Sequence, residues 1–290
     1  MNTFAGIPLT VVGPGSQPVE EDGSRLEYIS LPKEMSSYRA PDIPEPEQVL
    51  HLHGAKAVCD WIDRALAEYR VGGAPRIADI SGLDAENRDL VNQILGEGEV
   101  SLKYRDDELQ VRMQESVLAG IWRTFYFDHE GHITRDLIEV CDVPVLARRV
   151  PDAAKASGLA RDSAPEGVMN ALPLLIELQD HVTGWRAGNL ARVINLTLLP
   201  LSEGDIQFLG EILGTGPVET LSRGYGDCKI TSTAFPGIWW VRYTNSMGTL
   251  ILNTLETTDI PAVACAAQED LDDSRRRFRE LLEPYWRELG

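Results

Sequence analysis

The sequence predicts an α+β fold made of two tandem pseudo-symmetric repeats, each a helix followed by an antiparallel β-meander, with extra covering helices. Three observations predict it. The segment from Gly120 to Ala147 recurs from Gly237 to Ala264 at a constant offset of 117, and nine of its 28 positions are identical. ILGEGEV at 94–100 matches ILGTGPV at 212–218 at five of seven positions. In each copy a helical pattern precedes alternating apolar residues, which are typical of paired strands.

Residues 1–45 are predicted to form an extended N-terminal arm. They contain clustered Pro, Gly, Ser and Glu, and a residue that precedes proline disfavours the helical conformation. From Pro46, apolar residues recur at three- and four-residue spacings as far as Tyr69. This spacing predicts an amphipathic helix over 46–71, which opens a first domain, 46–150, and ends at Gly72 and Gly73.

The first repeat continues with a short strand over 76–80 and a helix that Asp84 caps and Gly96 ends. A carboxylate at the N-cap accepts amide hydrogens that have no partner inside the helix. In the second repeat Ser202 and Gly214 take these two places. Strands are predicted after each helix, and the hairpin turns Asp128 to Gly131 and Asn245 to Gly248 join the last two strands of each copy.

A polar connector is predicted over 151–166, followed by a second domain, 167–290. This domain begins with a helix over about 168–187, contains the second repeat and closes with a helix over 272–289. Pro284 predicts a kink or a break in that last helix, because proline lacks the N–H that the helix requires.

The charge of the chain narrows its possible partners. Forty-five acidic and 27 basic side chains give a formal charge of −18, which repels nucleic acid and anionic lipid. One interpretation is that the acidity confers solubility alone, and another is that an acidic face receives a positively charged peptide. No apolar run of about 18 residues predicts a membrane span, and the N-terminus lacks the basic region of a secretory signal, so cytoplasm is the expected location.

The residue pattern predicts neither an enzyme nor a cofactor. Cys59, Cys141, Cys228 and Cys265 are scattered, as expected of reduced, mostly buried thiols. The sequence contains no G-x-S-x-G, H-E-x-x-H or P-loop pattern. GEGEV and GTGPV follow helices and do not precede them, so they are interpreted as helix C-caps and not as phosphate loops.

The histidines predict no metal centre. His51 and His53 lie two residues apart on the predicted helix and would point to different faces. His129 and His132 lie with two carboxylates in the 128–132 turn, where polar residues are ordinarily just solvated. The second copy has Ser246 and Thr249 in their places.

The tryptophans Trp122, Trp239 and Trp240 lie on the equivalent central strands. Adjacent residues of a strand point to opposite faces of the sheet, so Trp239 and Trp240 cannot share one core. Either one of them faces a second packed layer, or one is exposed as a contact anchor for a partner.

The second repeat differs from the first at GYGDCKITST, residues 224–233, where the first has a charged turn. Tyr225, Cys228 and Thr231 have no counterparts there. Such divergence marks either an acquired function or simply a looser turn.

The segment Arg223 to Ser274, with its GYG-x-C, GIWW and NTLE-x-x-x-IP elements, resembles the C-terminal domain of the hydrogenase expression/formation proteins of the HupH/HyaF type. The resemblance implies an accessory protein of nickel-iron hydrogenase assembly that acts on the small, iron-sulfur-bearing subunit before export, together with a thioredoxin-like accessory partner. It assigns partner binding to the motif residues Tyr225, Cys228, Trp239, Trp240, Asn253 and Glu256, with Trp122 in the first repeat. The first repeat has Asp136 where the second has Asn253.

Two functional hypotheses follow. In the first, a non-enzymatic chaperone holds the basic twin-arginine leader of the small-subunit precursor on its acidic surface, and its tryptophan-bearing sheet contacts the immature cluster domain. In the second, a thiol-dependent helper holds iron or a cluster through Cys228, with Cys265 or another chain's Cys228. A cluster usually has four thiolate ligands, so two subunits would have to cooperate, and a homodimer is possible.

Overall fold

The computed structural model describes residues 44–149, 158–159, 161, 163–186, 188–223 and 226–287. The α-helices are α1 (Pro46–Val49), α2 (His53–Glu68), α3 (Ala85–Leu95), α4 (Ala171–Gly184), α5 (Glu203–Leu213) and α6 (Gln268–Arg287). The first five strands are β1 (Arg76–Asp79), β2 (Val100–Arg105), β3 (Gln110–Glu115), β4 (Ile121–Phe127) and β5 (Ile133–Val140). The other five are β6 (Arg192–Asn195), β7 (Val218–Arg223), β8 (Gly226–Ser232), β9 (Ile238–Asn245) and β10 (Leu250–Thr257). The predicted arm over 1–45, apart from its last two residues, and most of the connector lie outside the described residues.

All ten strands belong to one antiparallel sheet in the order β1-β5-β4-β3-β2-β7-β8-β9-β10-β6. The α+β class is therefore confirmed, and the strands of both halves of the chain belong to this one sheet. β2 and β7 form the central pair, in which Leu102 lies opposite Thr220 and Tyr104 opposite Val218.

The predicted caps of the helices that precede the meanders are confirmed. Asp84 accepts the Asn87 N–H at 2.9 Å, and Ser202 and Asp205 form a reciprocal capping box at the start of α5. Gly96 and Gly214 follow the two helices with φ of +56° and +60°, a conformation that glycine adopts without strain. The glycine-rich segments thus end helices, as predicted.

Two helix predictions are wrong in part. The helix expected over 46–71 is divided, because Leu52 has a non-helical backbone (φ −86°, ψ 65°) and a buried side chain. α2 begins anew after it, and the Asn87 side chain of α3 accepts the Ala55 N–H at 2.7 Å. Pro284 does not break α6, which continues to Arg287. The carbonyl that this proline leaves without its helical partner belongs to the exposed residue Glu280, where water can bind it.

The apolar residues form two clusters. The larger cluster joins α2, α3 and α6 to the sheet and includes Trp122 and Trp239. The smaller cluster joins α4 and α5 to the sheet and includes Trp240 and Leu255. Among the described residues, no helix has both the length and the apolar composition that crossing a membrane requires.

Candidate functional site

The three tryptophans predicted as contact anchors are buried. Trp122, Trp239 and Trp240 are 1%, 5% and 7% exposed. Trp239 and Trp240 point to opposite faces of β9 and pack in different clusters. The alternative in which one of the pair faces a second packed layer is confirmed, and the alternative of an exposed anchor is wrong for this structure. Partner binding by these residues stays a prediction.

The two tryptophans of β9 also bond differently. The Trp239 indole N–H donates to the backbone oxygen of Thr258 at 3.1 Å. The Trp240 indole N–H donates to Oδ1 of Asn253 at 2.5 Å, and the Asn253 N–H donates to Oγ1 of Thr197 at 2.8 Å. Trp240 and Asn253 are therefore one buried polar pair, whose partner-binding role is likewise untested.

Cys228 lies beside Tyr243 and Glu256 on the Trp239 face of the sheet, and we call these three residues the Cys228 cluster. Cys228 lies opposite Tyr243 in the register of β8 and β9, and the Tyr243 side chain acts to lower the pKa of the Cys228 thiol. Glu256 on β10 interacts electrostatically with both residues. Cys228 is 6% exposed, and the other two side chains are half-buried.

Burial raises the pKa of all three members of the Cys228 cluster. Desolvation raises the pKa of the Cys228 thiol, and the hydrogen bond from Tyr243 only partly opposes it. Desolvation also raises the pKa of Tyr243 and, against a hydrogen bond from Thr254, the pKa of Glu256. A thiol with a raised pKa holds little thiolate, which is the form that attacks electrophiles and binds metals.

The first half of the sheet has part of the same arrangement at the corresponding positions. Tyr126 and Glu139 match Tyr243 and Glu256, but Val111 lies where the second half has Cys228. Glu139 is buried and accepts the Thr124 hydroxyl at 2.6 Å and the Val145 N–H at 3.3 Å. Glu256 accepts the Thr254 hydroxyl at 3.2 Å. The cysteine is therefore the feature that distinguishes the second half.

The other thiols are no more reactive. Burial raises the pKa of Cys59 to about 12 and the pKa of Cys141 well above its usual range. Cys265 is half-buried, and desolvation, partly opposed by Arg148, raises its pKa to about 11. The predicted state of reduced, mostly buried thiols agrees with this burial.

The histidine positions do not assemble a buried metal centre within the described residues. His51 lies in the turn before α2, and its Nε2 lies 3.5 Å from Glu86. In the β4–β5 turn, His132 Nδ1 lies 3.4 Å from Asp128 Oδ2 and 3.5 Å from Glu130 Oε2. These three side chains come within 4.8 Å of one another, but Asp128 also binds two backbone N–H groups of its own turn.

Two residues of this region, Tyr243 and Arg123, were not predicted from the sequence. The predicted residue Tyr225 lies outside the described residues. Tyr243 was missed although its identity with Tyr126 in the repeat alignment was a signal. Arg123, the counterpart of Trp240, donates from Nε and Nη2 to Asp136 at 2.5 and 2.6 Å. The first half thus has the ion pair Arg123–Asp136 where the second half has the neutral pair Trp240–Asn253.

Comparison with known proteins identifies relatives along most of the chain. The model of the HupH hydrogenase expression protein C-terminal conserved region matches twice, at residues 52–161 and 168–285. The chain is 47% identical over 287 residues to hydrogenase expression/formation protein HoxQ of Cupriavidus necator, covering 97% of this chain and 98% of that protein. It is 42% identical to hydrogenase expression/formation protein HupH of Rhodobacter capsulatus, covering 96% and 97%. It is 32% identical to hydrogenase-1 operon protein HyaF of Escherichia coli, covering 93% and 94%.

One solved structure is also similar. Hydrogenase expression protein HupH from Thiobacillus denitrificans is 31% identical, and the match covers 41% of this chain and 98% of that one with a TM-score of 0.39. The motif resemblance first seen at 223–274 therefore extends through both halves of the chain in the sequence comparisons.

Proposed function

The chain belongs to the hydrogenase expression/formation protein family of the HupH/HyaF type, and from this membership we propose that it is an accessory protein of hydrogenase maturation. Its client is the small, iron-sulfur-bearing subunit precursor of a nickel-iron hydrogenase, held in the cytoplasm before export. The family membership is the observation that carries the proposal.

The protein acts as a non-enzymatic chaperone. All four thiols have a raised pKa, whereas a nucleophilic cysteine needs a lowered pKa or an adjacent base. The formal charge of −18 suits a basic client segment, because opposite charges accelerate encounter and strengthen binding at low salt. The twin-arginine leader of the precursor is that segment.

The client contacts the β8–β10 part of the sheet around the Cys228 cluster, and it also binds Tyr225, which precedes β8 in the sequence. Glu256 is the predicted binding residue that is half-buried there, as Tyr243 is, and Cys228 is buried beside them. The buried Trp239 lies on the same face of the sheet as this surface, whereas Trp240 and Asn253 lie on the opposite face and Trp122 lies on β4 in the first half. A thioredoxin-like accessory protein shares the client.

The two halves of the chain are copies of one unit related by a pseudo-twofold axis through the β2–β7 pair. In that pair Leu102 lies opposite Thr220, its counterpart at an offset of 118, and Val100 lies opposite Ser222, the counterpart of Tyr104. The family model also matches once in each half. These two observations support the duplication, and the Cys228 cluster is the feature in which the copies diverged.

The alternative role, holding iron or a cluster through Cys228, has less support. Cys228 has a raised pKa and a tyrosine hydroxyl as its neighbour, whereas cluster ligands are thiolates and are usually four in number. Anaerobic reconstitution of the pure protein with iron and sulfide tests it. A colourless product, together with an unchanged phenotype of cells that carry Cys228→Ser, contradicts this alternative.

Capture of the client tests the main proposal. The tagged protein is recovered from cells that express the small-subunit precursor with its leader, with both leader arginines replaced by glutamine, or without the leader. We expect the intact precursor to be recovered best, and its recovery to fall as salt rises through the range where the Debye length drops from roughly 10 Å to 3 Å. Equal recovery of all three forms contradicts leader binding, and recovery of none contradicts the proposal.

A variant series locates the surface. Glu256→Lys places a positive charge in the Cys228 cluster and is expected to weaken capture. Glu211→Lys makes the same charge change at an exposed position of α5 and is expected to leave most of the capture intact. Equal capture by both variants contradicts the assignment of the surface and leaves the client assignment standing.

A further inference from the structure

A polar pocket of about 350 Å³ opens between α3 and the β4–β5 hairpin in the first half of the chain. We call it the Arg88 pocket. Its lining includes Ser81, Arg88, Asn92, Arg123, Phe125 and Asp136. It lies on the Trp240 face of the sheet, the face opposite to the Cys228 cluster.

Arg123 forms the floor of the pocket and neutralises Asp136. Its Nε and Nη2 atoms donate to the two carboxylate oxygens of Asp136 at 2.5 and 2.6 Å, and both side chains are less than 10% exposed. Its Nη1 atom donates to Oδ1 of Asn92 at 2.7 Å. This bidentate pair uses one positive and one negative charge, so it leaves no net charge at the floor.

Arg88 places a second guanidinium beside the Arg123–Asp136 pair, which is already neutral without it. Its Nη2 atom donates to the backbone oxygen of Leu83 at 2.6 Å, which fixes the side chain at the mouth of the pocket. Its Nε atom lies 3.9 Å from Oδ2 of Asp136, beyond hydrogen-bond distance. This Nε is buried and has no acceptor among the described residues. A buried donor without a partner costs free energy. The Arg88 side chain as a whole is 39% exposed, so the outer part of its guanidinium is open to an oxyanion in the pocket.

The second half of the chain folds without these charges. There Ile206, Gly210, Trp240 and Asn253 take the places of Arg88, Asn92, Arg123 and Asp136. The Trp240 indole donates to Asn253 and lies about 3.7 Å from where a side chain on Gly210 would begin. The same helix and strands therefore pack with a neutral pair in place of the ion pair and with no cation at the position of Arg88, so packing alone does not require Arg88.

We propose that the Arg88 pocket binds an oxyanion, a carboxylate or a phosphate group, through the Arg88 guanidinium above the Arg123–Asp136 pair. Guanidinium groups match the geometry of both anions. The Ser81 and Thr134 hydroxyls at the rim already donate to Asp79 Oδ1 and to the backbone oxygen of Tyr126, so the Arg88 guanidinium supplies the donors for the anion. This site goes beyond the chaperone proposal and does not depend on it.

Titration calorimetry in a buffer of chloride and an amine tests the site, with inorganic phosphate and succinate as separate probes. We expect at least one of them to bind with a Kd on the order of 1 mM. Arg88→Gln is expected to weaken that binding about tenfold or more. Arg88→Lys keeps the charge but loses the Nε donor. Its affinity for the anion is expected to lie between that of the native protein and that of Arg88→Gln. Arg242→Gln removes a guanidinium on the same face of the second half and is expected to bind like the native protein.

The result with the two probes separates a phosphate ligand from a carboxylate ligand. Absence of saturable binding of both probes up to about 20 mM overturns the proposal. Equal affinity of the native protein and both Arg88 variants for the anion overturns it as well. An equal loss of affinity in Arg242→Gln and Arg88→Gln also overturns it, because that result would show a nonspecific effect of charge. If Arg88→Gln does not fold, the comparison of Arg88→Lys with Arg242→Gln decides.

Discussion

Oδ1 of Asp205 in α5 accepts a hydrogen bond from the backbone N–H of Ala171, the first residue of α4, at 3.0 Å. The same oxygen accepts the N–H groups of Met169 and Asn170 at 2.8 Å each, and Oδ2 accepts the N–H and the hydroxyl of Ser202 at 2.9 Å. Burial raises the pKa of this carboxyl, but the donors outweigh burial and lower it to about 2. One side chain thus caps two helices.

Asp205→Asn is expected to lower the free energy of unfolding by about 2–4 kcal/mol at pH 7, because it removes a buried, charge-assisted acceptor. The folded pKa lies below the unfolded value, so this stabilisation is complete above about pH 4 and is lost as the pH falls towards 2. Urea unfolding at pH 7 and pH 3 measures both effects. Asp84→Asn, at the exposed cap of α3, serves as the control and is expected to cost about 1 kcal/mol or less. Equal costs at the two sites contradict this account.

Arg123→Met is expected to destabilise the protein by about 3–5 kcal/mol, because it leaves the Asp136 carboxylate buried and unpaired. Adding Asp136→Asn removes that charge, so the double variant is expected to regain at least about 2 kcal/mol of the loss. Urea unfolding of the four proteins in this cycle measures the coupling. Additive losses would mean that the pair contributes nothing beyond its separate parts.

The parts of the fold that the sequence predicts best are those with local causes. Asp84, Ser202, Gly96 and Gly214 mark helix ends through their own backbone and side-chain chemistry, and all four lie at the predicted helix ends. The division of the predicted 46–71 helix depends instead on Asn87, which lies on another helix and accepts the Ala55 N–H. The spacing of apolar residues within one segment cannot predict a contact with a residue on another helix.

The candidate site was less predictable, because its properties depend on burial. The alternation of strand residues established that Trp239 and Trp240 point apart, but only the packing of α4 and α5 shows that the Trp240 side is covered. Cys228 was identified by its divergence from the first repeat. Its neighbour Tyr243 was missed because the tyrosine is shared by both repeats and so did not mark the divergence.

The four thiols are expected to react slowly with Ellman's reagent in the folded protein at pH 7.5. Each has a pKa above its usual value because of burial, so each holds little thiolate. Denaturant should make all four react, and Cys228→Ser should remove one equivalent. A native thiol that reacts faster than glutathione and disappears in Cys228→Ser would contradict the raised pKa and favour the thiol-dependent role.

Glu115, at the end of β3, is expected to make the protein less stable as the pH rises. Desolvation raises its pKa to about 7, although the Gly120 N–H donates to it at 2.9 Å. A carboxyl whose folded pKa exceeds the unfolded value favours folding only while it is protonated. It therefore costs stability increasingly above about pH 4.5, and the cost reaches its full value above pH 7.

Glu115→Gln keeps an acceptor for the Gly120 N–H and abolishes the titration, so the variant should match the native protein near pH 4.5 and exceed its stability at pH 8. A shift from 4.5 to about 7 corresponds to about 3 kcal/mol at most. Urea unfolding across this range measures the difference, with Glu108→Gln at an exposed turn position as the charge-matched control. If both variants follow the native pH profile, Glu115 ionises normally in the folded protein. The burial of its carboxyl beside Trp122 on the neighbouring strand would then be offset by solvent or a further donor.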